Sequence, residues 1–181
     1  MLAGILALAM VAQATTATIG PALSPVPRTA AIARSGDATV LGAIGAADAN
    51  EIEAATLATT KGGTDEVRAY AAMLLKVHQV SLTSGTNLAK QLKITRLLPN
   101  DSAMARAHVV EMAELNGFSG DAFDKAFVQR MVGNHKAGIV TVRETLLPQA
   151  RRAQVKAFVR QRLPTLLAHQ LEGEKWLAAH P

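Results

Sequence analysis

Residues Thr64–Leu92 read TDEVRAYAAMLLKVHQVSLTSGTNLAKQL. Val67, Ala71, Leu74, His78, Leu82, Gly85, Ala89 and Leu92 recur every three or four positions, the spacing of one helix face, sustained for about seven turns. Thr64 follows Gly62-Gly63 as an N-cap, and Asp65 and Glu66 fall in the first turn, where the helix dipole favours acids. An amphipathic helix of that length belongs to a bundle. It also carries an imidazole, His78, in the middle of its apolar stripe.

Working outward, the same period recurs on both sides. A first helix from about Asp37 places Leu41, Ile44, Glu51, Ala55 and Ala58 on its inner side and ends near Gly62. Downstream, Leu97-Leu98-Pro99-Asn100-Asp101 breaks the chain, a shorter segment spans 102–116, and Gly117 with Ser119-Gly120-Asp121 restarts it. The helix from Asp121 carries Phe127, Met131, His135, Ile139, Val142 and Leu146 on one stripe, and Pro148 is expected to stop it. The last, from about Arg152, carries Val155, Val159, Leu163, Leu166, His169, Gly173 and Trp176, with Pro164 expected to kink it by displacing the carbonyl of Arg160. Nothing reads as a strand. Four long helices joined by a short, a long and a short connection are the wiring of an all-α, ferritin-like four-helix bundle, with a short extra helix in the crossover between helices 2 and 3.

The 181 residues are 49% hydrophobic and include no cysteine, which suits one domain with an aliphatic core and excludes thiolate metal sites and cysteine nucleophiles. The N-terminal run MLAGILALAMVAQA is apolar, too short to span a bilayer, and ends in Ala12-Gln13-Ala14, a small-x-small pattern accepted by signal peptidase. No Lys or Arg precedes Arg28, so the positive segment typical of a signal is missing from the sequence as it stands. The expected organisation is a signal peptide at 1–14, a Pro/Thr/Ala-rich tether at 15–36 held extended by Pro21, Pro25 and Pro27, and the bundle at 37–179.

Three blocks, NEIEAATLATTKGGTDEVRAYAAMLLKVH, GDAFDKAFVQRMVGNHKAGI and VKAFVRQRLPTLLAHQ, recur in order, each with its histidine. Together they resemble the bacterial domain-of-unknown-function 4142 family over roughly residues 48–176. That resemblance implies an exported protein with a ferritin-like fold, and supplies almost no chemistry. The family usually has an Asp just before the second-helix histidine; here that position is Val77.

His78, His135 and His169 each lie on the apolar stripe of a different long helix, and Glu51 faces inward from the first. Three neutral imidazoles and a carboxylate facing one bundle interior suit a divalent transition metal, zinc or copper. Met131, one turn before His135, would add a soft ligand for copper(I), and Glu172 lies one turn beyond His169, whereas Glu144 points to the opposite face. Height argues against one four-ligand site. With a turn at Gln149, His135 and His169 differ by about 9 Å, and Glu51 and His78 by about 7.5 Å, at 1.5 Å per residue. A looser two-residue site, or a polar cluster with water, satisfies those offsets better. Di-iron bundles use Glu-x-x-His, but the residues three before the histidines are Leu75, Val132 and Leu166. No hydrolase motif or phosphate-cradling loop is visible either.

The net charge of +5 is uneven: residues 125–162 hold nine Lys or Arg against the single acid Glu144. Arg152, Lys156 and Arg160 fall one turn apart, a stripe able to meet an anionic envelope surface or an acidic partner. Nucleic acid is disfavoured by the scarcity of aromatic rings for stacking. Two functions follow: an exported bundle binding a metal ion or small ligand through its interior cluster, in envelope stress or metal handling, or a non-enzymatic structural protein docking through its basic face. Export makes the protein periplasmic or secreted. N-terminal sequencing of the protein from its native host should then begin at Thr15, and an intact Met1 in the cytosolic fraction overturns export.

Overall fold

A computed structural model of the chain describes residues 36–94 and 102–181. The expected signal peptide and all of the tether except Gly36 lie outside the described residues. The helices are α1 (Asp37–Lys61), α2 (Asp65–Gln91), α3 (Ser102–Gly117), α4 (Gly120–Thr141) and α5 (Ala153–Ala179). No strand occurs among the described residues. The protein is an all-α bundle of four long helices, with α3 as the short helix of the crossover.

Two capping interactions fix the wiring. The buried Asp124 carboxylate of α4 accepts the Gly63 N–H (2.7 Å), the Thr64 N–H (2.8 Å) and the Thr64 hydroxyl (2.9 Å), while Thr64 Oγ1 accepts the Val67 N–H. The start of α4 therefore sits beside the start of α2, the two helices run parallel, and the crossover has to travel the length of the bundle. Along that path α3 is pinned to the end of α1 by Lys61, whose ammonium donates to the Leu115 and Asn116 carbonyls. At the opposite end Asp37, opening α1, accepts the backbone N–H groups of Arg151 and Arg152 in the turn between α4 and α5.

Pro148 does not stop its helix at the preceding residue. Instead α4 widens into a π-helical segment, Val142–Leu146, where the Leu147 N–H reaches back to the Val142 carbonyl, and closes with a final turn, Leu147–Gln149. In a regular α-helix the Pro148 ring would collide with the Glu144 carbonyl four residues earlier. A wider turn just ahead of it takes that carbonyl out of register, so the chain continues for two residues past the expected stop. The last helix likewise continues through Pro164 without ending.

The apolar core is in two parts. One, around Phe123, Phe127, Leu74 and Val67, fills the end where α2 and α4 begin, and burial of each such side chain stabilises the fold by about 1.5–3 kcal/mol. The other, around Val40, Leu41, Val155 and Val159, fills the opposite end. Helices pack so closely in the first cluster that a Cβ on Gly173 would lie 2.6 Å from Val132 Cγ2 and 3.1 Å from the Tyr70 hydroxyl, which explains a glycine on the inner stripe of α5. Between the two clusters lies a layer of buried polar residues.

The basic stripe is smaller than its sequence implies. Arg162, counted with the nine cations, turns inward and is tied to Asp48 and Ser81. Arg152, although half exposed, donates to the Leu92 carbonyl (2.7 Å) and pairs with Asp37 at 3.4 Å, clasping the ends of three helices together. Arg160 is exposed and Lys156 partly so. Among the described residues, no helix is long and apolar enough to cross a membrane.

Candidate metal centre

The polar layer is built from four helices. His78 of α2, His135 of α4 and His169 of α5 are each at most 3% exposed. Their ring centroids stand 5.9 Å (His78–His135), 5.5 Å (His78–His169) and 5.0 Å (His135–His169) apart. One ring nitrogen from each lies within 4.8 Å of the other two. The height offset expected between His135 and His169 is corrected here: the turn falls at Ala150–Arg152, not at Gln149, which leaves the two residues about 3 Å apart in height at 1.5 Å per residue.

Hydrogen bonding fixes which nitrogens are free. The His135 Nδ1–H donates to the Met131 carbonyl at 2.6 Å, which leaves Nε2 with its lone pair, and that Nε2 lies 3.1 Å from His169 Nδ1. The His78 Nδ1–H donates to Asp48 Oδ1 at 2.8 Å, so its Nε2 also carries a lone pair, buried and without a partner. Asp48, fully buried, accepts in addition from the Ser81 hydroxyl (2.7 Å) and from Arg162. A carboxylate orienting a metal-binding imidazole is a common arrangement in metalloproteins. Here it comes from α1 rather than from position 77.

Glu51 stands outside the three-nitrogen cluster. It lines an adjoining cavity of about 290 Å³ between α1, α3 and α4, with His78, His135, Glu111, Asn134 and Arg162, and its Oε2 is shielded from solvent without a hydrogen-bond partner. Burial, reinforced by Glu111 and Asp48 and opposed by Arg162 and by the Asn134 side chain as a hydrogen-bonding neighbour, pushes its carboxyl up to about 8. Burial also raises Glu111, whose carboxylate accepts from the Asn134 amide at 3.2 Å. His108 of α3 lies on the same cavity wall, bonded to Glu53 at 2.9 Å. Met131 borders the cavity as well, while Glu144 and Glu172 are exposed and take no part in the cluster.

Sequence reasoning missed Asp48, Arg162, Glu111 and Asn134. Two of them left a signal. Asp48 continues the stripe Ile44, Glu51, Ala55, Ala58, and Gly63 is equally far in sequence from Asp48 and His78, which puts them level in the hairpin. Arg162 falls between Val159 and Leu166 on the inner stripe of α5, where a guanidinium needs a buried anion.

A family model described as "Domain of unknown function (DUF4142)" matches residues 22–175. The chain belongs to this family. No curated protein matches it by sequence. Among solved structures, the one entitled "CopM in the Cu(II)-bound form" is similar with a TM-score of 0.65 at 12% identity, covering 81% of this chain and 99% of that one. At that identity the likeness is one of fold.

The buried groups make the stability of the metal-free protein depend on pH in two limbs. Desolvation, with the neighbouring histidines and Arg162, lowers His135 to about 3 and His169 to about 4 from 6.5. As pH falls from about 6.5 toward 4, the unfolded chain takes up protons that the folded chain refuses, so stability falls. From about pH 4.5 up to 8 the folded chain keeps the Glu51 proton that the unfolded chain has released, which lowers stability across that whole range, with Glu111 acting in the same direction; below about 6.5 the two histidines oppose it, and above 6.5 the acids act alone and stability falls. Urea midpoints of chelator-treated protein should therefore peak near pH 6.5. Glu51→Gln should flatten the alkaline side and steepen the acid side between about pH 4.5 and 6.5, where Glu51 opposes the histidines; an alkaline limb unchanged in that variant would mean that Glu51 is not the buried acid responsible.

Proposed function

We propose that this protein binds a transition-metal ion, copper or zinc, at the three histidines in the middle of the bundle. The observation that carries the reading is the convergence of one nitrogen from each of His78, His135 and His169 within 4.8 Å, with the His78 Nε2 buried and unpartnered. A buried imidazole nitrogen left without a partner costs about 1–3 kcal/mol, and a metal ion satisfies it. The ligands need not lose protons to bind, because burial keeps His135 and His169 neutral at physiological pH. In the metal-free chain the His169 Nδ1–H donates to His135 Nε2, and binding an ion through both nitrogens would require that proton to move to His169 Nε2, a change of tautomer and not of charge. Asp48 holds the His78 ring in the tautomer that presents Nε2, and Met131 does the same for His135 through its carbonyl.

The ligand chemistry admits both metals, since neutral imidazole suits each. The likeness of the bundle to CopM, named for its Cu(II)-bound form, supports copper as the first ion to try. With a signal peptide at 1–14, the protein would meet that ion outside the cytoplasm, which places its role in metal handling or envelope stress. No reaction is part of this reading.

The test is metal-linked stability of untagged, chelator-treated protein. An ion that binds only the folded chain raises stability by about 2.7 kcal/mol at a hundredfold excess over Kd. His78→Ala, His135→Ala and His169→Ala should each weaken binding at least about tenfold, because each removes one of three bonds. A melting temperature indifferent to copper and zinc in the wild-type protein would reject the proposal.

A docking role for the basic face stands as a second reading, because neither Lys156 nor Arg160 has an ion-pair partner among the described residues. Vesicles rich in acidic lipid should then retain the protein at low salt and release it as salt rises, since exposed charges are screened beyond about 8 Å at physiological ionic strength. Reversing charge at Lys156 and Arg160 should abolish retention; equal retention on neutral vesicles would leave these side chains merely solvated.

A further inference from the structure

His78, His135 and His169 are each at most 3% exposed, so an ion that binds them has to pass through the protein. Three openings border the rings. A cleft of about 230 Å³ between α2 and α5 reaches His78 and offers hydroxyls and an amide, from Ser81, Ser84, Thr165 and Gln161, but no acid. A groove of about 810 Å³, also between α2 and α5, reaches His169, and its acids, Glu66 and Glu172, are exposed and keep their water. The cavity of about 290 Å³ under α3 borders two of the rings, His78 and His135. Arg162 lines this cavity and the cleft alike, and Asp48 matches its charge, so it does not distinguish them.

The cavity under α3 differs in its donors. Met104, His108 and Glu111 recur at spacings of four and three, a single face of α3 that lines the cavity with sulfur, nitrogen and oxygen. The His108 Nε2–H donates to Glu53, which leaves Nδ1 with its lone pair, as Asp48 leaves the Nε2 of His78. The Asn134 amide holds the Glu111 carboxylate at 3.2 Å, and Glu51 of α1 lines the same cavity. Burial rises along this set: the Glu53 side chain is 63% exposed, that of His108 12% and that of His78 3%, with its Nε2 buried and unpartnered. A cation leaving water needs a replacement ligand at each stage, because an isolated charge in the interior is costly, and it displaces the proton of any carboxyl that holds one.

Resting on the metal-binding reading above, we infer that the cavity is a second, transient metal site: His108 and Glu111 take a transition-metal cation from the surface beside Glu53 and pass it to His78 and His135. Neither side chain belongs to the final centre. Each therefore acts on how fast the ion arrives and leaves, and not on how tightly it is held.

Cu(II) is the probe, mixed rapidly with the chelator-treated full chain. Loading is followed by quenching of Trp176, the only tryptophan of the sequence, which lies seven residues from His169 on α5 and so about 10 Å along the helix. Release into excess EDTA is followed by recovery of the same signal. A contact made only in transit lowers the barrier equally in both directions. Glu111→Gln and His108→Gln, which keep a polar side chain at each place, should therefore slow loading and release alike, each at least about tenfold, with Kd within about threefold of wild type. Ser84→Ala in the cleft and Glu172→Gln in the groove should leave both rates unchanged. Wild-type rates in Glu111→Gln and His108→Gln, or faster loading, overturn the inference and leave metal binding standing, since α3 then only covers the centre. A Kd weakened about tenfold or more in either variant makes that side chain a ligand of the bound ion and overturns it too. Slowing by Ser84→Ala or Glu172→Gln moves the entrance elsewhere and likewise overturns it. A wild-type chain whose fluorescence and melting temperature are both indifferent to Cu(II) removes both readings together.

Discussion

Asp48 sets the constraint on which the middle of this bundle depends. A carboxylate with no exposure to water survives in a helical interior only if every oxygen is satisfied and its charge is matched. His78 and Ser81 from α2 and Arg162 from α5 supply those partners, so three helices are held at one height by one side chain. Removing a single partner from such a group costs about 3–5 kcal/mol, which is more than a single apolar contact in either flanking cluster contributes. The two apolar clusters fill the ends of the bundle, and the Asp48 network fixes the register of its middle, hence where the histidine rings meet.

The fold was largely legible because helical periodicity and capping residues are local signals. The stripes from Thr64, Asp121 and Arg152 and the acids in the first turn of α2 place the long helices within a few residues, while the expected break at residues 97–101 lies outside the described residues. Pro148 marks the end of its helix to within one residue, whereas the widened turn just ahead of it, with Val142 and Leu146 packed into the second cluster, left no local signal. The site was legible in part. The histidine stripes point to one interior, yet whether they meet depends on the turn between α4 and α5, where a shift of two residues changes the height difference by about 6 Å. Asp48 and Arg162 were harder, because each looks like an ordinary surface charge until the other is placed beside it. Val77 stands where the family usually has an Asp, and the carboxylate that orients His78 comes instead from Asp48 on another helix.

The crossover gives the centre its asymmetry. In a simple up-and-down bundle, the face between α1 and α4 would be open to water or closed by direct helix packing. The parallel arrangement of α2 and α4 obliges the chain to travel back along that face, and α3 is the result, bound to α1 through Lys61 and His108 and to α4 through Glu111 and Asn134. It stands off far enough to leave a cavity against His78 and His135 and shields Glu51 from solvent. Ferritin-like wiring is commonly associated with carboxylate-bridged iron, but the Glu-x-x-His pairs that such centres require are absent, and the same wiring here surrounds a nitrogen-rich centre.

The charge state of the centre separates it from metal sites on which folding depends. Where thiolates or carboxylates converge, their mutual repulsion keeps the chain unfolded until a cation arrives. In this protein the imidazoles are neutral, Asp48 is matched by Arg162 and Glu51 retains its proton at physiological pH, so the centre assembles without any ion to neutralise it. An ion bound as proposed would enter a site whose three imidazoles already converge.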